Sequence, residues 1–145
     1  MKTPLDVSAA PGHLIRRAQQ IAVAIFAEHL AFADVTPVQF AILSAVQDTP
    51  GIDQITLAKR VAFDAATSGS VIGRLEAKGW VRRDADVQDR RRKLLWPTAQ
   101  GTRALSGMQV AVAQVQARIL SPLNADEQAQ FVALLARLVQ GHEGT

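Results

Sequence analysis

Apolar residues recur along most of this chain at intervals of three and four, the spacing of one face of an α-helix. The run "HLIRRAQQIAVAIFAEHLAF" sets Leu14, Ile15, Ala18, Ile21, Ala22, Ile25, Phe26 and His29 on one face. That pattern predicts a long helix whose stripe is largely buried. Thr36, Pro37 and Gln39 have the order of an N-cap, a first helical residue and the partner in a capping box. A second helix therefore starts there, and Asp48–Gly51 stops it. Asp53 is placed to cap a short helix, "QITLAKRVA". Beyond a tight link at Phe63–Asp64, "AATSGSVIGRLEAK" reads as a further helix, with Gly79 as the residue after its C-cap.

The period then shortens. "WVRR" and "KLLW" are β-prone segments flanking "DADVQDRR", which predicts a two-stranded hairpin, and Pro97 bars the second segment from continuing as a central strand. Thr98 caps a long helix, "AQGTRALSGMQVAVAQVQARIL", with Leu105, Met108, Val112, Val115 and Ile119 at helical spacing. Asn124 and Glu127 form the capping box of a last helix that carries Phe131, Leu134, Leu135, Leu138 and Val139. Two short helices followed by a hairpin, between longer helices, give the fold class: mainly α with a small β-hairpin, a winged helix-turn-helix. Residues 1–145 are expected to be a single domain. Within it 36–97 form the winged helix-turn-helix lobe, and 12–33 and 98–141 supply dimerisation helices, because their apolar faces exceed what a small monomer buries.

Composition narrows the function. The 145 residues are 48% hydrophobic, enough for a sizeable core, and contain no cysteine, which removes disulfides and thiolate metal sites. Three histidines, His13, His29 and His142, have no metal-ligand spacing, so no metal and no cofactor is expected. No apolar run approaches a membrane span, and the first residues lack the apolar core of a signal peptide, so a cytoplasmic location is expected. There is no nucleophile elbow, phosphate-cradling glycine loop or paired catalytic carboxylate, which argues against an enzyme.

Charge changes the picture most. The net charge is +3, but Gln54–Ala104 hold eleven Lys/Arg against five Asp/Glu, while the remainder is acidic. A basic middle between acidic flanks is the footprint of a polyanion-binding lobe. On the helix from Ala65, Thr67, Ser70 and Arg74 share one face with Lys78 alongside, opposite Ile72 and Leu75. Ala65, Ala66, Gly69 and Gly73 keep that helix thin enough for a major groove. Thr67, Ser68, Ser70 and Arg74 are the candidate DNA contacts there; the plainer alternative is that the small residues only permit helix packing. Arg90, Arg91 and Arg92 at the hairpin tip are candidates for the adjacent minor groove, with the groove-entering arginine left open. Asp89 is expected to accept hydrogen bonds from one of them, most simply Arg91, and so to orient the wing.

"LAKRV", "RLEAKGWVRR", "DVQDRRRK" and "TAQG" occur in order, and with them the chain resembles the MarR (multiple-antibiotic-resistance-regulator) family of dimeric bacterial transcription factors. Val87 departs from the proline common in that family's wing, and Pro97 stands where a leucine usually precedes the threonine. The resemblance implies a homodimer that binds a palindromic double-stranded DNA operator and is usually a repressor. It also implies an Asp-x-Arg unit in the wing and a small aromatic acid effector bound between dimer helices and DNA lobe. His13, Arg16 and Arg17, beside the apolar stripe of the first helix, are the candidate effector residues, since a guanidinium at an apolar edge grips a carboxylate. Intersubunit ion pairs or DNA phosphate are the alternative uses of those arginines. A different class of function keeps the fold as a protein-interaction module without sequence-specific DNA binding; salt-insensitive binding would mark it.

Overall fold

In a computed structural model the chain is described over residues 6–62 and 65–143. Among the described residues six helices and three strands run in the order α1 (Pro11–His29), α2 (Pro37–Asp48), β1 (Ile52–Asp53), α3 (Gln54–Arg60), α4 (Ala65–Ala77), β2 (Val81–Ala85), β3 (Lys93–Pro97), α5 (Ala99–Leu120) and α6 (Ala125–His142). Short 3-10 turns occupy Val7–Ala9 and Ala31–Ala33. The chain divides into two compact units, 26–112 and the pair of segments 1–25 and 113–145, so the divisions fall inside α1 and α5.

The central unit is built on its caps. Thr36 Oγ1 accepts from the Gln39 amide and Gln39 Oε1 from the Thr36 amide, while Pro37 occupies the first turn of α2, where a missing N–H costs nothing. Asp53 caps α3 through the Thr56 amide at 2.9 Å. At the end of α4, Gly79 (φ +79°) allows the paired bonds of a Schellman turn: Gly79 N–H to Glu76 O and Trp80 N–H to Leu75 O. Between these stops the apolar faces close on one another. Ile42, Leu43, Val46, Leu57, Ile72, Leu75 and Leu95 have no exposed surface, and the Phe26 and Phe40 rings meet edge-on with centroids 6.2 Å apart. The link expected at Phe63–Asp64 lies outside the described residues.

Two expectations change. The hairpin is part of a three-stranded antiparallel sheet in the order β1-β3-β2, so β3 is central rather than confined to an edge. Pro97 is tolerated because it is the last residue of the strand, in register with Val81. The extra strand β1 is two residues long, Ile52 facing Leu95 and Asp53 facing Leu94, too short to show a period of two. The second change concerns the stripe on the first helix. Ile25 and Phe26 are buried, but Leu14, Ile15 and Ile21 are exposed to roughly half their surface in the single chain. The terminal unit shows the same on α6, where no described residue is buried.

Candidate nucleic-acid interface

The two sides of α4 are chemically distinct. Ser68, Ile72 and Leu75 point into the unit with no exposed surface, at the i, i+4, i+7 spacing of a core stripe. Thr67, Ser70 and Arg74 are exposed on the outer side, and Arg74 has no side-chain pair among the described residues. Of the residues expected to contact DNA on this helix, Ser68 is therefore misplaced: its side chain is in the core. Among the described residues its Oγ has no hydrogen-bond partner. Ser68→Ala removes a buried hydroxyl without partner and improves helix propensity, so it is expected to stabilise the protein by about 1 kcal/mol. Thermal unfolding and a DNA titration check this; a loss of DNA binding would restore the contact reading.

Lys78 also differs from expectation. Its ammonium donates to the Asp34 carbonyl and to Gln39 Oε1 and lies 4.6 Å from the Trp80 ring centroid, so it locks α4 to the start of α2 instead of joining the outer face. Gly69 serves the approach of α3, since a Cβ there would lie 3.2 Å from Gln54 Nε2. Gly73 opens onto free space, as a thin reading helix requires.

Beside this helix, residues 86–92 join β2 to β3 as the wing. Two backbone bonds close the loop, Asp86 N–H to Arg92 O and Arg92 N–H to Asp89 O, each 2.9 Å. Asp89 Oδ1 accepts from the Arg91 amide (3.1 Å) and from Arg91 Nε (3.2 Å), the pairing anticipated from the sequence. Arg91 nevertheless keeps 92% of its side chain exposed, and Arg90 is exposed with no pair among the described residues. Val87 stands almost fully in solvent.

Arg92, the third tip arginine, is engaged within the protein, 3.1 Å from Asp53 and 3.1 Å from Asp86, and so departs from the expectation of a cation facing DNA. Thr56, through its amide and then its hydroxyl, and after it Arg92, hold the Asp53 carboxyl down to about 2. It stays ionised at any physiological pH. Arg83 acts similarly in the middle of β2, with Glu76 of α4 at 2.8 Å and Gln54 of α3 at 3.1 Å. Arg82 pairs with Asp84 and lies 5.9 Å from the Trp96 centroid. Sequence reading missed these anchors; the partners of Arg83 and Arg92 lie up to 39 residues away along the chain.

The base of the wing is tied to α5 by Thr98. Its hydroxyl donates to the Gly79 carbonyl at 2.6 Å and accepts from the Gly101 amide at 2.9 Å. In the terminal unit, His13 Nδ1 lies 3.1 Å from Arg16 Nη2, and Arg17 donates to Gln20 Oε1, both contacts local to one exposed face of α1.

Residues 35–93 match the model of the MarR family. The HTH-type transcriptional repressor NicR of Pseudomonas putida is 33% identical over 141 residues, covering 97% of this chain and 89% of NicR. The chain belongs to the MarR family. Two solved MarR-like structures superpose along almost its whole length. One, of Bordetella bronchiseptica BpsR, concerns regulation of DNA binding by 6-hydroxynicotinic acid; it is 32% identical, with TM-score 0.89, 94% of this chain and 98% of that one covered. The other, of Streptomyces coelicolor PcaV with its natural ligand, is 35% identical, with TM-score 0.86 and coverages of 98% and 100%. This MarR-family chain is a DNA-binding transcriptional regulator and not an enzyme. Its winged helix-turn-helix comprises α3, α4 and the β2–β3 wing. Among the described residues no cluster of three metal-ligating side chains occurs, and no helix is long and apolar enough to cross a membrane.

Proposed function

We propose that this MarR-family regulator is a cytoplasmic homodimer that represses transcription by occupying a palindromic operator and leaves it when a small aromatic carboxylate or phenol binds. One observation carries the DNA half: an exposed Thr67, Ser70, Arg74 face adjoins a wing whose Arg90 and Arg91 side chains are exposed on a loop closed by its own hydrogen bonds. The helix suits a major groove and the wing arginines an adjacent minor groove. The uncovered apolar surface of the terminal unit supports the homodimer, which spaces two reading helices about one turn of DNA, roughly 34 Å, apart. The effector half is supported by the 6-hydroxynicotinic acid of BpsR and the natural ligand of PcaV. His13, Arg16 and Arg17 are the residues we assign to its carboxylate.

Selection of bound duplexes from random DNA tests the reading. A recovered palindrome is expected; recovery of no preferred sequence sinks it. On that operator Arg74→Ala should weaken binding and reduce the slope of log affinity against log salt by about one, the mark of one lost phosphate contact. Hydroxylated aromatic acids, 6-hydroxynicotinic acid among them, are then titrated against the bound complex. An effector acts only by binding the low-affinity conformation better. If none releases DNA, the effector half of the reading falls; if one does, and Arg16→Ala and Arg17→Ala leave the response unchanged, the assigned site is wrong.

A further inference from the structure

Arg92 is the last residue before β3, and its guanidinium is divided between carboxylates of two separate elements. Nη1 donates to Asp86 Oδ2 and Nη2 to Asp53 Oδ2, each at 3.1 Å. Asp86 opens the wing loop, and Asp53 is the N-cap of α3, the first helix of the helix-turn-helix. Neither acid is an ordinary surface carboxylate: their side chains are 16% and 19% exposed. Each is held from a second side as well. Asp53 accepts from the Thr56 amide and hydroxyl, at 2.9 and 2.8 Å, and Asp86 accepts from the Gln88 amide at 3.0 Å. The guanidinium thus joins two carboxylates that are each already held by a second donor. Its backbone is bonded to Asp86 and Asp89 as well, so Arg92 is held on both sides of its Cα although half of its side chain stays exposed.

We infer that Arg92 is a positioning residue: it clamps the loop carrying Arg90 and Arg91 to the N-terminus of α3, and is not itself a DNA contact. The inference rests on the DNA-binding reading above. An exposed ion pair alone contributes little. Here one fork spans two elements, and what it removes is the freedom of a loop that must otherwise be ordered when DNA binds. Asp53, Asp86 and Arg92 together carry one net negative charge, so the cluster adds no attraction for phosphate. Its effect is to aim the two neighbouring arginines.

Substitutions at Asp53 and Arg92 separate the clamp from a charge count. Asp53→Asn keeps a good helix cap and removes a negative charge near a polyanion, so counting charges expects tighter operator binding. The clamp expects weaker binding, by about tenfold, the scale of one lost charged hydrogen bond. Arg92→Gln should weaken binding similarly with the salt slope unchanged, and the double variant should be no weaker than either single one. Asp53→Asn binding as tightly as the unchanged protein, or Arg92→Gln lowering the slope by about one, overturns the inference. A second readout needs no DNA. Amide hydrogen exchange at Asp86 and Arg92 in the free protein should accelerate in both variants, and unaltered exchange overturns the clamp. Should the unchanged protein bind no duplex, the proposed function falls, and exchange still decides the clamp by itself.

Discussion

Gly101→Ala is expected to destabilise the DNA-binding lobe by about 3 kcal/mol or more, the upper range for forcing a methyl into packed structure. A Cβ built at Gly101 would stand 2.0 Å from the Trp80 carbonyl oxygen, 2.8 Å from its carbon and 3.0 Å from Trp80 Cα. All three atoms are backbone, and neither side can move cheaply. Trp80 N–H is bonded to Leu75 O in the turn that ends α4, and Trp80 O accepts from the Thr98 amide. Gly101 in turn is held by Thr98 Oγ1 in the first turn of α5. Gly107, further along the same helix, has open space where a Cβ would go. There alanine should follow ordinary helix propensity and stabilise by about 1 kcal/mol. Thermal unfolding of the two variants checks both. Midpoints moving the same way would show that the close approach of α5 to Trp80 does not set the tolerance at Gly101.

That contrast marks what a linear reading could and could not see. Caps were legible because their chemistry is local: Thr36 with Gln39, Asp53 with Thr56, Asn124 with Glu127, and Gly79 after α4 all act within five residues. The Asp89–Arg91 pair belongs to the same class. Contacts set by the tertiary fold were not legible. Lys78 reaches Gln39 across 39 residues and Arg83 reaches Gln54 across 29. Four of the eleven cations that make the middle of the chain basic, Arg60, Lys78, Arg83 and Arg92, are consequently occupied in holding the lobe together. Ser68 is an intermediate case. Its spacing to Ile72 and Leu75 was in the sequence, but a hydroxyl between Thr67 and Ser70 draws the eye to the polar face. The bare half of the α1 stripe has another origin: periodicity reports that a face will be covered, and nothing in it says by which chain.

Leu138→Glu is expected to convert the dimer to monomer at micromolar concentration and to lower operator affinity by at least about a hundredfold, since an unpaired carboxylate buried in an interface costs several kcal/mol. Phe131, Leu134, Leu135, Leu138 and Val139 line one side of α6, each 40–62% exposed in the single chain. Monomeric proteins seldom leave so continuous an apolar strip bare. In a two-fold assembly the same patch serves both subunits, so one substitution introduces two carboxylates into the interface. Operator binding falls with it, because a palindrome is gripped tightly only when both half-sites are engaged by one particle. Ala133→Glu sets the same charge about 140° round the helix from position 138, at 100° per residue. Ala133 is exposed on the side away from the strip, and its variant should remain dimeric and bind DNA as before. Sedimentation gives the oligomeric state, and circular dichroism confirms that the helices persist. A Leu138→Glu protein that sediments as a dimer with unchanged operator affinity would remove α6 from the interface and leave its apolar strip without a partner.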